Sequence, residues 1–74
     1  MDYIKCSFTL KESIPWSEIL TTYLTDLPFE SFEEEEGLLK GYMPHKEYKK
    51  EAVEAILNDF SYKEVTFADE LIKD

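Results

Sequence analysis

A thiol at Cys6, an imidazole at His45 and four consecutive carboxylates at 33–36 are the reactive groups of this chain. They correspond in type to a nucleophile, a general base and a cluster of oxygen donors for a cation. None has the company its chemistry needs. A nucleophilic thiol wants a base or a positive charge beside it, whereas Cys6 falls on the apolar side of the alternation Ile4, Cys6, Phe8, Leu10, where a buried thiol is inert. His45 is the only histidine and follows Pro44. A transition-metal site would need a second histidine or a cysteine cluster, and the sequence has neither. Consecutive glutamates on a strand point alternately to opposite sides, and 33–36 lack the ligand spacing and glycine position of a calcium loop. No serine, histidine and carboxylate set converges. The reading therefore names no catalytic, cofactor-binding or metal-binding residue.

The elements that would carry these groups follow from hydrophobic periodicity. From Tyr3 to Leu10 apolar and polar residues alternate, the period of a strand with one buried face. Trp16, Ile19, Leu20, Tyr23, Leu24 and Leu27 recur at three and four, the stripe of an amphipathic helix with Pro15 in its first turn and Pro28 stopping it. Helical aromatics at this spacing are core residues rather than a partner groove. Residues 29–35 and 38–43 read as two short strands joined around Glu36-Gly37, with Pro44 ending the second. A second helix is expected over 46–59, carrying Tyr48, Ala52, Val53, Ile56, Leu57 and Phe60, and a last strand over 62–68 with Val65 and Phe67 facing inward.

Strand, helix, strand, strand, helix, strand in one short chain predicts an α+β class: a ferredoxin-like βαββαβ fold, a four-stranded antiparallel sheet with two helices on one face. With no repeat, low-complexity tract or internal linker, residues 1–74 form a single domain. The first and third strands are then central, and the glutamate run lies on an edge. Charge on an edge strand discourages pairing with other chains; a docking strip for a basic partner is the other reading of the same residues. Tyr3 and Tyr42 fall on the open face, where they read as ordinary strand residues. Lys40-Gly41-Tyr42 matches the first three positions of the aromatic motif of RNA-recognition modules, but Met43-Pro44 stands where a small residue and a second aromatic belong.

Seventeen acidic and eight basic residues give a formal charge of -9. All eight basic residues are lysines, so there is no guanidinium for bidentate contact with phosphate or carboxylate. Direct nucleic acid and anionic membrane are poor partners for such a chain; the commoner meaning of its charge is solubility, and attraction of a basic protein is the other reading. A small hydrolase of acylphosphatase type would want the missing arginine. At 74 residues the core buries only about 60% of the unfolded chain's surface, which suits a binding module better than a deep cleft. One cysteine excludes an intrachain disulfide and suits a reducing cytoplasm. No segment reads as an export signal or a membrane span.

The opening Met1-Asp2-Tyr3-Ile4 through Phe8-Thr9, the segment Leu27-Pro28-Phe29-Glu30-Ser31-Phe32-Glu33-Glu34 and the strand Gly37-Leu38-Leu39-Lys40-Gly41-Tyr42 resemble the start of the methyltransferases of ribosomal protein L-eleven. The likeness spans essentially the whole chain and rests on short motifs, chiefly 29–32 and Lys40-Gly41-Tyr42. It implies an N-terminal substrate-recognition domain of ferredoxin-like fold that holds ribosomal protein L-eleven. In the family a linker joins it to a C-terminal domain that binds S-adenosylmethionine and methylates amino groups of that substrate. This sequence has no glycine-rich loop after a strand, since Gly37 and Gly41 both belong to the hairpin. The expectation is a docking domain without cofactor or chemistry of its own, a cytoplasmic monomer whose catalytic domain is absent. Apolar Leu71 and Ile72 in the tail read as a cut into the linker. A free-standing ferredoxin-like regulatory or ligand-binding module is the other reading.

Overall fold

The computed structural model describes residues 1–73. Strand β1 (Tyr3–Leu10) is followed by helix α1 (Trp16–Leu24), strands β2 (Ser31–Glu35) and β3 (Leu38–Pro44), a 3-10 turn (His45–Glu47), helix α2 (Lys50–Asp59) and strand β4 (Val65–Ile72). The four strands form one sheet in the order β2-β3-β1-β4, and every neighbouring pair is antiparallel. The class is α+β, with a four-stranded antiparallel sheet and two helices.

β1 is the hub of this arrangement because it pairs on both sides. Cys6 lies opposite Gly41 of β3 and opposite Asp69 of β4. Its alternation resolves as expected: Ile4, Cys6, Phe8 and Leu10 are buried, and Leu39 and Met43 of β3 join them. Leu20 and Leu24 of α1, Val53 of α2 and Phe60 complete the same cluster, so both helices cover the side of the sheet that these residues occupy. Each such side chain gains about 1.5–3 kcal/mol from burial. Aromatic rings close the rim. Phe67 stacks on Phe8 with centroids 5.2 Å apart, and Trp16 stacks on Tyr62 at 4.8 Å while meeting Phe60 edge-on.

Four elements have ends that differ from the periodicity by two residues or more. α1 ends at Leu24 rather than running to Leu27. Pro28 pushes the residue before it out of helical geometry, and the chain tightens through bonds from the Asp26 N–H to Tyr23 and the Leu27 N–H to Leu24. Leu27 still packs against the core, while Tyr23 is 37% exposed and meets Phe60 edge-on. β2 begins at Ser31 rather than 29, because Phe29 turns its ring inward over Gly41. α2 begins at Lys50, since Tyr48 (ψ 129°) and Lys49 (ψ 111°) are extended. The Tyr48 hydroxyl reaches across to Asp69 of β4 at 2.5 Å, which takes that ring out of the helical stripe. β4 begins at Val65 and runs on to Ile72, because Tyr62 stacks on Trp16 instead of entering the sheet. Leu71 and Ile72, which in sequence read as a cut into the linker, pair with Ile4 and Tyr3.

Candidate functional site

The hairpin of β2 and β3 gathers most of the polar residues that the sequence singles out. Gly37 takes φ 76° at the turn, a left-handed conformation that glycine enters without a Cβ penalty. Its N–H donates to the Ser13 hydroxyl, tying the tip to the segment before α1. Gly41 serves a different purpose. A Cβ there would sit 2.8 Å from the Phe29 ring and 2.9 Å from Phe32, so its bare backbone is the floor on which both rings rest, their centroids 5.0 Å apart.

The glutamates divide between the two sides of β2, as a strand requires. Glu33 and Glu35 face the open side. The Tyr42 hydroxyl donates to Glu33 at 2.8 Å, and the Lys40 ammonium sits 2.8 Å from Glu35. The hydrogen bond to Glu33 raises the Tyr42 pKa above its usual value. The Lys40 contact lowers that of Glu35 and is raised in return. Along the same face Tyr3 donates to Glu30 at 2.7 Å, and Lys5 lies 3.2 Å from Glu70 of β4. These exposed pairs add little stability singly, but they fix the orientation of a polar surface running across all four strands. Glu34 points the other way and accepts a 2.6 Å bond from Ser17, which is 1% exposed in the first turn of α1. Three of the four carboxylates in the run thus engage donors of their own chain, and Glu36 lies exposed in the turn.

Cys6 and His45 occupy unrelated settings. Cys6 has no solvent exposure, and burial, with Asp69 adding its charge, pushes the thiol from 9.0 up to about 12. It is therefore protonated throughout the physiological range and no nucleophile. His45 is exposed in the 3-10 turn, its backbone N–H donating to the Asp2 carbonyl at 2.9 Å. No group of three or more histidine, cysteine or acidic side chains is placed to hold a metal ion among the described residues. No helix among them is long and apolar enough to cross a membrane.

Two features escape the sequence reading. The couples Tyr48–Asp69 and Ser17–Glu34 join residues 21 and 17 positions apart, beyond any local pattern. A cavity of about 420 Å³ opens between the end of α1 and the start of α2. Leu27, Pro28, Met43 and Ala52 line it, with Lys46, Glu47 and Lys49 beside them. Two lysines in four residues are the only sequence signal for it.

Comparison with protein-family models, with curated proteins and with solved structures found no match.

Proposed function

We propose that this chain is a docking domain for a basic protein, the substrate-recognition part of a methyltransferase resembling those of ribosomal protein L-eleven. The observation that carries the reading is a charge of -9 spread over a small, sheet-based surface whose one thiol is locked in its protonated form. Such a surface speeds the encounter with a positively charged protein and orients it. The residues of the resemblance also work together: the Phe29 and Phe32 rings pack directly on Gly41, so the two motifs form one packing unit. The element order and the β2-β3-β1-β4 sheet support a ferredoxin-like βαββαβ topology.

The domain would do no chemistry itself. Tethering a captured substrate to a catalytic domain makes methylation effectively intramolecular. S-adenosylmethionine does not fit this chain. Gly37 is consumed by the hairpin turn and Gly41 by the two phenylalanine rings, leaving no glycine for a methyl-donor loop. The cofactor would belong to a catalytic domain outside the chain. A cytoplasmic monomer, with no direct contact to nucleic acid or membrane, completes the reading.

A competition assay tests it. Added in excess to an intact two-domain enzyme of this family methylating ribosomal protein L-eleven, the chain should sequester the substrate and slow methylation in proportion to its concentration. An unchanged rate at saturating chain overturns the reading. The 420 Å³ cavity, lined by apolar residues with Lys46, Glu47 and Lys49, favours a second function, that of a free-standing regulatory or ligand-binding module taking a small, largely apolar ligand. The parent reading frame separates the two: continuation into a methyl-donor domain supports docking.

A further inference from the structure

The two edges of the sheet are finished differently. β2 has five residues, three of them glutamates, and a short charged edge resists further pairing. β4 is eight residues long and, among the described residues, pairs only with β1. In an antiparallel ladder, hydrogen-bonded and non-hydrogen-bonded residue pairs alternate. The Lys11 N–H donates to the Glu64 carbonyl at 3.2 Å, which sets the phase. Thr66, Ala68, Glu70 and Ile72 therefore bond to β1, while Val65, Phe67, Asp69 and Leu71 turn their N–H and C=O groups outward. The other side of β1 agrees: the Leu10 N–H donates to the Gly37 carbonyl, so the even residues of β1 serve β3 and the odd ones β4.

The side chains along this edge have a consistent character. Glu54, Leu57 and Asn58 of α2, with Phe67, line a shallow cavity of about 400 Å³ beside it. Asp69 lies on the helix side and Glu70 on the open side, where Lys5 contacts it at 3.2 Å. Leu71 and Ile72, at the end of the strand, are 41% and 38% exposed. Carboxylates thus flank a row of outward donors and acceptors, with apolar surface beneath.

We propose that β4 takes an extended, lysine- or arginine-bearing segment of a partner protein as a fifth strand. Main-chain bonds to residues 65, 67, 69 and 71 supply affinity, and alternate side chains of the incoming strand supply specificity. One set enters the Glu54, Leu57 and Phe67 cavity, and the other meets Glu70. Charge selects the occupant. A second copy of this chain would bring its own Asp69 and Glu70 to the same edge, whereas a basic strand meets them with opposite charge. The proposal rests on the docking reading and names its surface.

A synthetic peptide of alternating lysine and valine, matched to the eight residues of β4, is titrated into the labelled chain while amide shifts are recorded. Saturable shifts at Val65, Phe67, Asp69 and Leu71 are expected, weakening as salt rises. Leu71→Pro removes an outward N–H without breaking a ladder bond, a position where edge strands tolerate proline; it should weaken the peptide at least about tenfold. Glu54→Lys, on the exposed side of α2, tests the charge without touching the sheet and should weaken it as well. Shifts elsewhere, or both variants binding as the parent does, overturn the proposal. So does self-association in sedimentation that Leu71→Pro abolishes, because the occupant is then a second copy. Ribosomal protein L-eleven tested alongside separates the two claims. If it fails while the peptide adds to β4, the docking reading falls and the edge stands; if it binds while both the peptide and the β4 amides stay silent, the reverse holds.

Discussion

Gly41 shows how much one missing atom can organise. With a Cβ placed 2.8 Å from the Phe29 ring, Gly41→Ala must displace one or both phenylalanines, and overpacking of this kind costs about 1–3 kcal/mol. Urea unfolding should show that loss, and Phe29→Leu in the same chain should recover part of it. Cys6 leads to a prediction about pH. Its pKa in the fold is about 12 against 9.0 when exposed, so the folded state binds the proton more tightly than the unfolded state. That contribution is complete below about pH 9 and is lost as pH rises toward 12. The raised pKa values of Tyr42, Tyr48 and Lys40 act in the same direction. Stability measured by urea should therefore fall with rising pH above about 9, and less steeply in Cys6→Ala. A thiol reagent should label Cys6 only on unfolding. The sequence places Cys6 correctly, since alternation alone puts it inside. It cannot show that Asp69 lies opposite, because that pairing depends on the register of a strand more than sixty residues further along the chain.

Among the elements, β1 and the hairpin turn are legible from sequence because each is written locally, in a period of two and in a glycine at the one left-handed position. The ends of α1, α2 and β4 are not. The starts of α2 and β4 are each decided by a side chain that takes a distant partner: Tyr48 takes Asp69, and Tyr62 takes Trp16; the end of α1 follows instead from the local tightening before Pro28. The glutamate run sits between these cases. Its alternation follows from strand geometry, yet only the fold shows that Glu34 meets the buried Ser17 hydroxyl. Ser17→Ala removes that bond and leaves the exposed Glu34 carboxylate to water, so it should cost about 0.5–1.5 kcal/mol. Glu34→Gln keeps an acceptor oxygen and should cost less. A larger loss in Glu34→Gln than in Ser17→Ala, in thermal or urea unfolding, would mean that charge, rather than the hydrogen bond, joins β2 to α1. Tyr48→Phe likewise deletes one bond between the start of α2 and β4, with an expected loss of about 0.5–1.5 kcal/mol.

For the molecule as a whole, a charge of -9 on 74 residues both repels itself and recruits opposite charge. Moderate salt screens over roughly 8–10 Å, so it should raise the thermal midpoint of the free chain while weakening any complex with a basic protein. Opposite responses of stability and affinity to the same salt are the signature of an acidic docking surface. In the proposed function this surface holds ribosomal protein L-eleven. Titration of the labelled chain with that protein, following amide shifts at low and at moderate salt, tests it most directly. Saturable shifts confined to one surface, strongest along β4 and reduced by salt, are expected. Spectra unchanged at high concentrations of ribosomal protein L-eleven would contradict it.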